Sequence, residues 1–352
     1  MDSQTRRVEP FYWLLGSAAL VVVVAGMRAA QSLMVPFLIA AFIAIICTPA
    51  VQWLARKGVP AWLAILLVIF GVSLVVLVVV AITTASINEF IQNSDKYHVE
   101  LKASDGRLIT WLEKEYPIQS SSFSTYIAES LSTGVVIRHI KTVLTGLTGA
   151  FSNVFLVLLT VLFMLLEAAG FPRKLLALSN GNPRTLEKAE KIREAIVQYI
   201  SLKTALSLLT GVLVGLWVMV LKIDFPILWG LMAFLLNYIP NVGSILAAIP
   251  AVILAFVQHG LSTALVAAAG YVVINIVIGN VVEPRVMGKG LGLSTLVVFV
   301  SLVCWGWVLG LVGMLLSVPL TMIVKIVMEG FDETRWLAVL LGSNPEPRSG
   351  TP

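Results

Sequence analysis

Residues 225–257 read FPILWGLMAFLLNYIPNVGSILAAIPAVILAFV, 33 residues without one charge. As a single straight helix this stretch would be about 50 Å long at ~1.5 Å per residue. A bilayer offers only ~30 Å of hydrocarbon. Pro240 stands near the middle, where it removes a backbone donor and clashes with the preceding turn. Both objections disappear if the stretch is two half-helices joined by Asn237–Ser244, a re-entrant hairpin that enters and leaves on one side. Non-helical backbone at membrane depth is tolerated only where it is buried in protein or lines a cavity. The break is therefore the first place to look for a site.

Residues 293–327 pose the same problem over 35 residues, with Gly306, Gly310, Gly313 and Pro319 as the breakers. The break is expected between Gly306 and Gly313. The two stretches echo one another. VGSILAAIP at 242–250 matches VGMLLSVP at 312–319 with one residue deleted, and Trp229-Gly230 and Trp305-Gly306 precede them. Between them lie an apolar run, Thr263–Ile278, and the charged turn GNVVEPRVMGKGLG at 279–292. Paired broken segments in two inverted halves are a pointer to a transporter's binding site. Hairpin topology places Glu283, Arg285 and Lys289 inside, where eight plain spans would place them outside.

Composition agrees with a membrane protein. Of 352 residues, 58% are hydrophobic and 12% charged, against roughly 25% charged in soluble domains. Several runs of about 20 residues have the length of a spanning helix, and none alternates in polarity as barrel strands do. The net charge of +5 sits in loops, as the positive-inside tendency predicts, and is not read as a nucleic-acid surface. Cys47 and Cys304 lie inside apolar runs and make no metal motif.

The expected fold is an all-α polytopic membrane protein of about six transmembrane helices and two re-entrant helical hairpins, about eight hydrophobic segments. Residues 1–87 hold spans 1–3, with a very short turn at Arg28 and Gln31. Residues 88–146 form a small extracytoplasmic helical insert, carrying seven acids against six Lys/Arg. Residues 147–203 hold span 4 and a cytoplasmic amphipathic helix, opened by Asn182-Pro183 as N-cap and first helical residue. With seven Lys/Arg against three Glu, the segment 168–203 belongs inside. The helix is expected to lie on the inner surface. Residues 204–328 are the transport core, and 329–352 a short cytoplasmic tail ending in Pro- and Gly-rich disorder.

No Walker A pattern is present, and the three histidines lie apart. No catalytic group, metal site or cofactor is legible, so the chain is not read as an enzyme. Asn237, Tyr238 and Asn241 are the polar groups of the first break. They suit a neutral polar solute, and equally suit capping of the half-helices. Pro240 and Gly243 shape that turn; Gly310, Gly313 and Pro319 do so in the second break. Asn275 and Asn280 lie in or beside span 6. Intramembrane polar residues are functional candidates, with helix–helix hydrogen bonding the competing role. Glu283 and Arg285, around Pro284, are read as a structural ion pair or part of a gate. Lys325 is read as snorkelling to the interface.

The break NYIPNVGS at 237–244, the turn GNVVEPRVMG at 279–288 and the segment from Gly292-Leu293-Ser294 through Pro319 resemble the bacterial autoinducer-2 exporter family. Val35-Pro36-Phe37, Thr160–Glu167 and Tyr199–Lys203 extend the resemblance over nearly the whole chain. It implies an inner-membrane protein that exports autoinducer-2, a small polyol-like furanone, and forms homo-oligomers such as pentamers; the polar N-terminus and the span count place both termini in the cytoplasm. The family also has members assigned to sodium/proton antiport, so proton or sodium coupling stays open. No catalytic residue carries over.

Overall fold

The computed structural model describes residues 5–92, 154–168, 183–240, 242–287, 293–330 and 334–342. All the elements among them are helical: α1 (Thr5–Ala29), α2 (Gln31–Arg56), α3 (Ala61–Gln92), α4 (Val154–Ala168), α5 (Pro183–Val220), α6 (Pro226–Leu236), α7 (Gly243–His259), α8 (Leu261–Asn275), a π-helical segment (Ile276–Val282), α9 (Glu283–Met287), α10 (Thr295–Leu315), α11 (Ser317–Glu329) and α12 (Arg335–Leu341). Five helical stretches are long and apolar enough to cross a membrane: Gln31–Arg56, Ala61–Phe90, Glu194–Val220, Leu261–Val286 and Thr295–Leu315. The chain is an all-α polytopic membrane protein, as composition required. It divides into two compact units, one of residues 1–45, 156–181 and 292–352, the other of 46–155 and 182–291.

The second unit is built around α5. This helix starts at Pro183 as expected, but it runs unbroken for 38 residues. The boundary drawn at residue 203, between a surface helix and span 5, therefore falls inside a continuous helix. α5 ends in a Schellman motif. The Ile223 N–H reaches the Val218 carbonyl (3.2 Å) and the Lys222 N–H the Met219 carbonyl (3.0 Å). Lys222 takes the left-handed conformation, φ 58°. Ile223 and Val218 are buried against the core.

α6 and α7 then form a helical hairpin. Phe225 is left-handed (φ 62°) ahead of Pro226 at the first helical position. The entry is held by the Trp229 indole donating to the Asp224 carbonyl (2.9 Å). The hairpin's exit returns to this same place. Gln258 Nε2 donates to the Asp224 carboxylate, the Asp224 N–H donates to Gln258 Oε1 (3.1 Å), and His259 Nε2 lies 3.0 Å from the Lys222 carbonyl. Both ends of the hairpin thus sit at one end of α5. At the joint to α8, Gly260 (φ 81°, ψ −174°) adopts a conformation open to glycine alone. The core of this unit packs Trp229, Leu228 and Met232 of α6 against Val214 and Val218 of α5, Ala247, Ala251 and Leu254 of α7, and Ala264 and Ala267 of α8.

The charged turn expected at 279–292 is helical as far as Met287. α8, the π segment and α9 follow one another without a gap, and α9 packs on α5. The insert expected from residue 88 is preceded by five more residues of α3; the rest of it lies outside the described residues.

In the first unit, α10 is interrupted at Gly310 (φ 67°, ψ −148°), between the two outer glycines expected to mark the break. The chain folds back there. Trp305 Nε1 donates to Thr321 Oγ1 of α11 (3.0 Å), and a methyl on Gly306 would stand 2.8 Å from Met314 Cγ. The Arg28 guanidinium lies 4.3 Å from the centre of the Trp307 ring. The expected turn between α1 and α2 is the single residue Ala30. The tail contains a helix, α12, whose Leu341 carbonyl accepts from the Ser294 N–H at 3.1 Å; residues 343–352 lie outside the described residues.

Candidate functional site

Small residues decide where the first break sits. Gly211 and Gly215 of α5 face Gly230 of α6 at a spacing of four. A methyl on Gly211 would stand 2.7 Å from the Gly230 carbonyl oxygen, and one on Gly230 would stand 2.7 Å from the Gly211 carbonyl oxygen. Close backbone approach of this kind is what small-xxx-small faces provide in membranes. It fixes the register of α6 along α5 and brings the end of α6 level with Ser207.

Ser207 lies within the apolar stretch Glu194–Val220, so the break packs against the interior of a candidate span. There Asn237 Nδ2 donates to Ser207 Oγ at 3.0 Å. Tyr238 OH donates to Thr204 Oγ1 at 2.8 Å, and Thr204 in turn donates to the Ile200 carbonyl (2.7 Å). Ser207 and Tyr238 are buried, and Asn237 half-buried. Neither Asn237 nor Tyr238 caps the following helix: α7 has Val242 at its N-cap and no side-chain cap bond. Asn237 holds the C-cap position of α6 through its backbone N–H, while both side chains tie the break to α5, a role beside the two expected of them. Pro240 sits in the turn, half-buried. A methyl on Gly243 would overlap the Leu236 carbonyl, so the chain can fold back here only without a side chain. Asn241 lies outside the described residues.

One turn from Ser207 towards Pro183, Lys203 Nζ binds both oxygens of Glu283, at 2.8 and 3.0 Å. The Lys203 side chain is 6% exposed and that of Glu283 25%. The partner of Glu283 is thus Lys203, eighty residues away, and not Arg285, which is exposed on α9. The expected Glu283–Arg285 pairing is corrected. The two residues stand only two apart on one helix, and such neighbours do not face each other. Tyr199, buried on the next turn, lies within electrostatic reach of both Glu283 and Tyr238. At this end of α5, Thr48, Gln52, Ala55 and Arg56 of α2 and Glu194, Val197 and Gln198 line an open cleft of about 820 Å³.

Tyr199, Lys203, Ser207, Gly211 and Gly215 recur every four residues and form one face of α5. Lys203, Thr204 and Ser207 were missed as site residues because two of them sit in an apolar span and the third ends a basic run. The four-residue spacing was the available signal. Asn275 is half-buried in α8 and Asn280 exposed in the π segment. Neither has a side-chain hydrogen bond to the cluster. Gly310, Gly313 and Pro319 belong to the other unit. A methyl on Gly313 would overlap the Trp305 carbonyl and stand 2.8 Å from Leu309 Cβ. Gly243 meets Leu236 and Ile239 in the same way. The two echoed glycines thus do the same steric task. Pro319 is buried in the first turn of α11. Among the described residues, no three His, Cys, Asp or Glu side chains gather to hold a metal ion.

A family model for the AI-2E family transporters matches residues 18–332. A putative transport protein of Haemophilus influenzae is 40% identical over 335 residues, 94% of this chain and 95% of its own. The AI-2 transport protein TqsA of Escherichia coli K12 is 40% identical over 322 residues, 92% and 93% of the two chains. The putative transport protein YhhT of the same organism is 38% identical over 340 residues, 96% of each. With the family model covering residues 18–332 and relatives 40% identical over more than nine-tenths of its length, the chain belongs to the AI-2E transporter family.

Proposed function

We propose that this protein exports autoinducer-2, or a small polar solute of the same kind, across the bacterial inner membrane, with both termini in the cytoplasm. The observation that carries the reading is the break packed against the apolar part of α5, where Asn237 and Tyr238 meet Ser207 and Thr204. These are neutral amide and hydroxyl groups. They match the donors and acceptors of an uncharged polyol, and a solute can exchange for each bond they make to one another. The likeness to TqsA, named as an AI-2 transport protein, supports this choice of solute. The hairpin α6–α7 is the element that moves, entering the membrane from one side as a re-entrant loop. The protein works as a homo-oligomer.

The alternative is sodium/proton exchange at Glu283 or Asp224. It ranks lower because Glu283 already holds an ammonium group and Asp224 is engaged by Gln258. Autoinducer-2 uptake into inside-out vesicles, with and without a proton gradient, separates the readings. Uptake above empty vesicles is expected, and its loss on collapsing the gradient makes it proton-coupled. Asn237→Ala lowers the rate by about tenfold, the equivalent of one hydrogen bond of ~1.4 kcal/mol. No uptake by folded protein, together with proton movement on adding sodium, overturns export in favour of antiport.

A further inference from the structure

A carboxylate inside a membrane span requires a counter-charge, and unpaired it is costly enough to be rare. Glu283 has one built in. Lys203 Nζ stands almost evenly between its two oxygens, at 2.8 and 3.0 Å. That is the position a bound monovalent cation would take on a carboxylate. The butyl chain of Lys203 carries the charge in from α5, while Glu283 closes from α9. Tyr199, one turn along α5, lies within electrostatic reach of Glu283. Arg285 is exposed and supplies no second cation. Glu283 also follows directly on the π segment, its N–H bonded to the Ile278 carbonyl. Such segments are frequent at functional sites. With its side chain 25% exposed, the carboxylate is within reach of a hydrated ion.

We propose that Lys203 is a tethered cation filling a monovalent-cation site on Glu283, so that removing its ammonium turns Glu283 into a sodium-binding carboxylate. Lys203 and Na⁺ carry the same single charge, and water entering the space left by the side chain completes the ion's shell. The wild-type protein therefore has no sodium requirement at this position. This inference stands whether or not autoinducer-2 is the solute.

The test is thermal unfolding of the purified full chain in sodium chloride and in choline chloride at equal ionic strength. The wild-type midpoint is the same in both. Lys203→Met melts lower in choline, and sodium restores it with the saturating dependence of a one-site ligand. The double variant Lys203→Met/Glu283→Gln loses the sodium response. A folded Lys203→Met that ignores sodium overturns the proposal, as does a double variant that still responds. If Lys203→Met cannot be isolated in choline, isolation in sodium is the expected result. Failure in both salts, with the double variant folded or not, overturns the proposal too.

Discussion

Lys222 shows how much a single position can hold. It occupies the left-handed place after α5 that glycine usually fills, and left-handed geometry costs a side-chain-bearing residue about 1–2 kcal/mol. Its carbonyl is also the contact for His259, so the backbone and not the side chain is what the hairpin base uses. Lys222→Gly should therefore stabilise the protein by about 1 kcal/mol, read as a higher unfolding midpoint with transport unchanged. The polar residues of the break were legible in the sequence, because a proline and two asparagines inside a charge-free run have few explanations. Their partners were not. Ser207 and Thr204 are ordinary residues in an apolar helix until α6 is laid beside them, and that register depends on Gly211, Gly215 and Gly230.

At the scale of elements, the α5–α6 contact is the rigid part of the hairpin. The two backbones approach so closely at Gly230 that a side chain there must push them apart. Gly230→Leu should cost about 1–3 kcal/mol, the usual range for overpacking. It should also slow solute uptake further than the loss of stability explains, because Asn237 and Tyr238 are drawn off Ser207 and Thr204. A thermal-unfolding series beside the vesicle assay reads both effects. The length of α5 was the element least legible in advance. Its basic stretch followed by an apolar one looks like two helices, since positive charge normally stays at the membrane surface. Lys203 escapes that rule because Glu283 meets it, and one chain's sequence does not display a pairing eighty residues apart. Likewise Pro284 and the flanking glycines read as a turn, yet Glu283–Met287 stays helical.

Over the whole molecule, the run lengths carried most of the fold. Hydrocarbon thickness and the rise of a helix decide which apolar runs are spans and which must break, and both long runs do fold back on themselves. Charge counts favour the inner side for the segment 168–203, and Glu283 pairs with Lys203, the last residue of that segment, well inside α5. Where Lys222 and His259 meet has a consequence of parity. A segment that leaves a membrane on the side it entered adds no crossing, so it is silent to everything that follows. Excising residues 225–258 as a block and joining the ends should leave a reporter fused after Met287 on its original side. Removing a true span such as Leu261–Val286 should flip it. On the re-entrant reading proposed above, the hairpin could change in length without the rest of the chain having to be rethreaded.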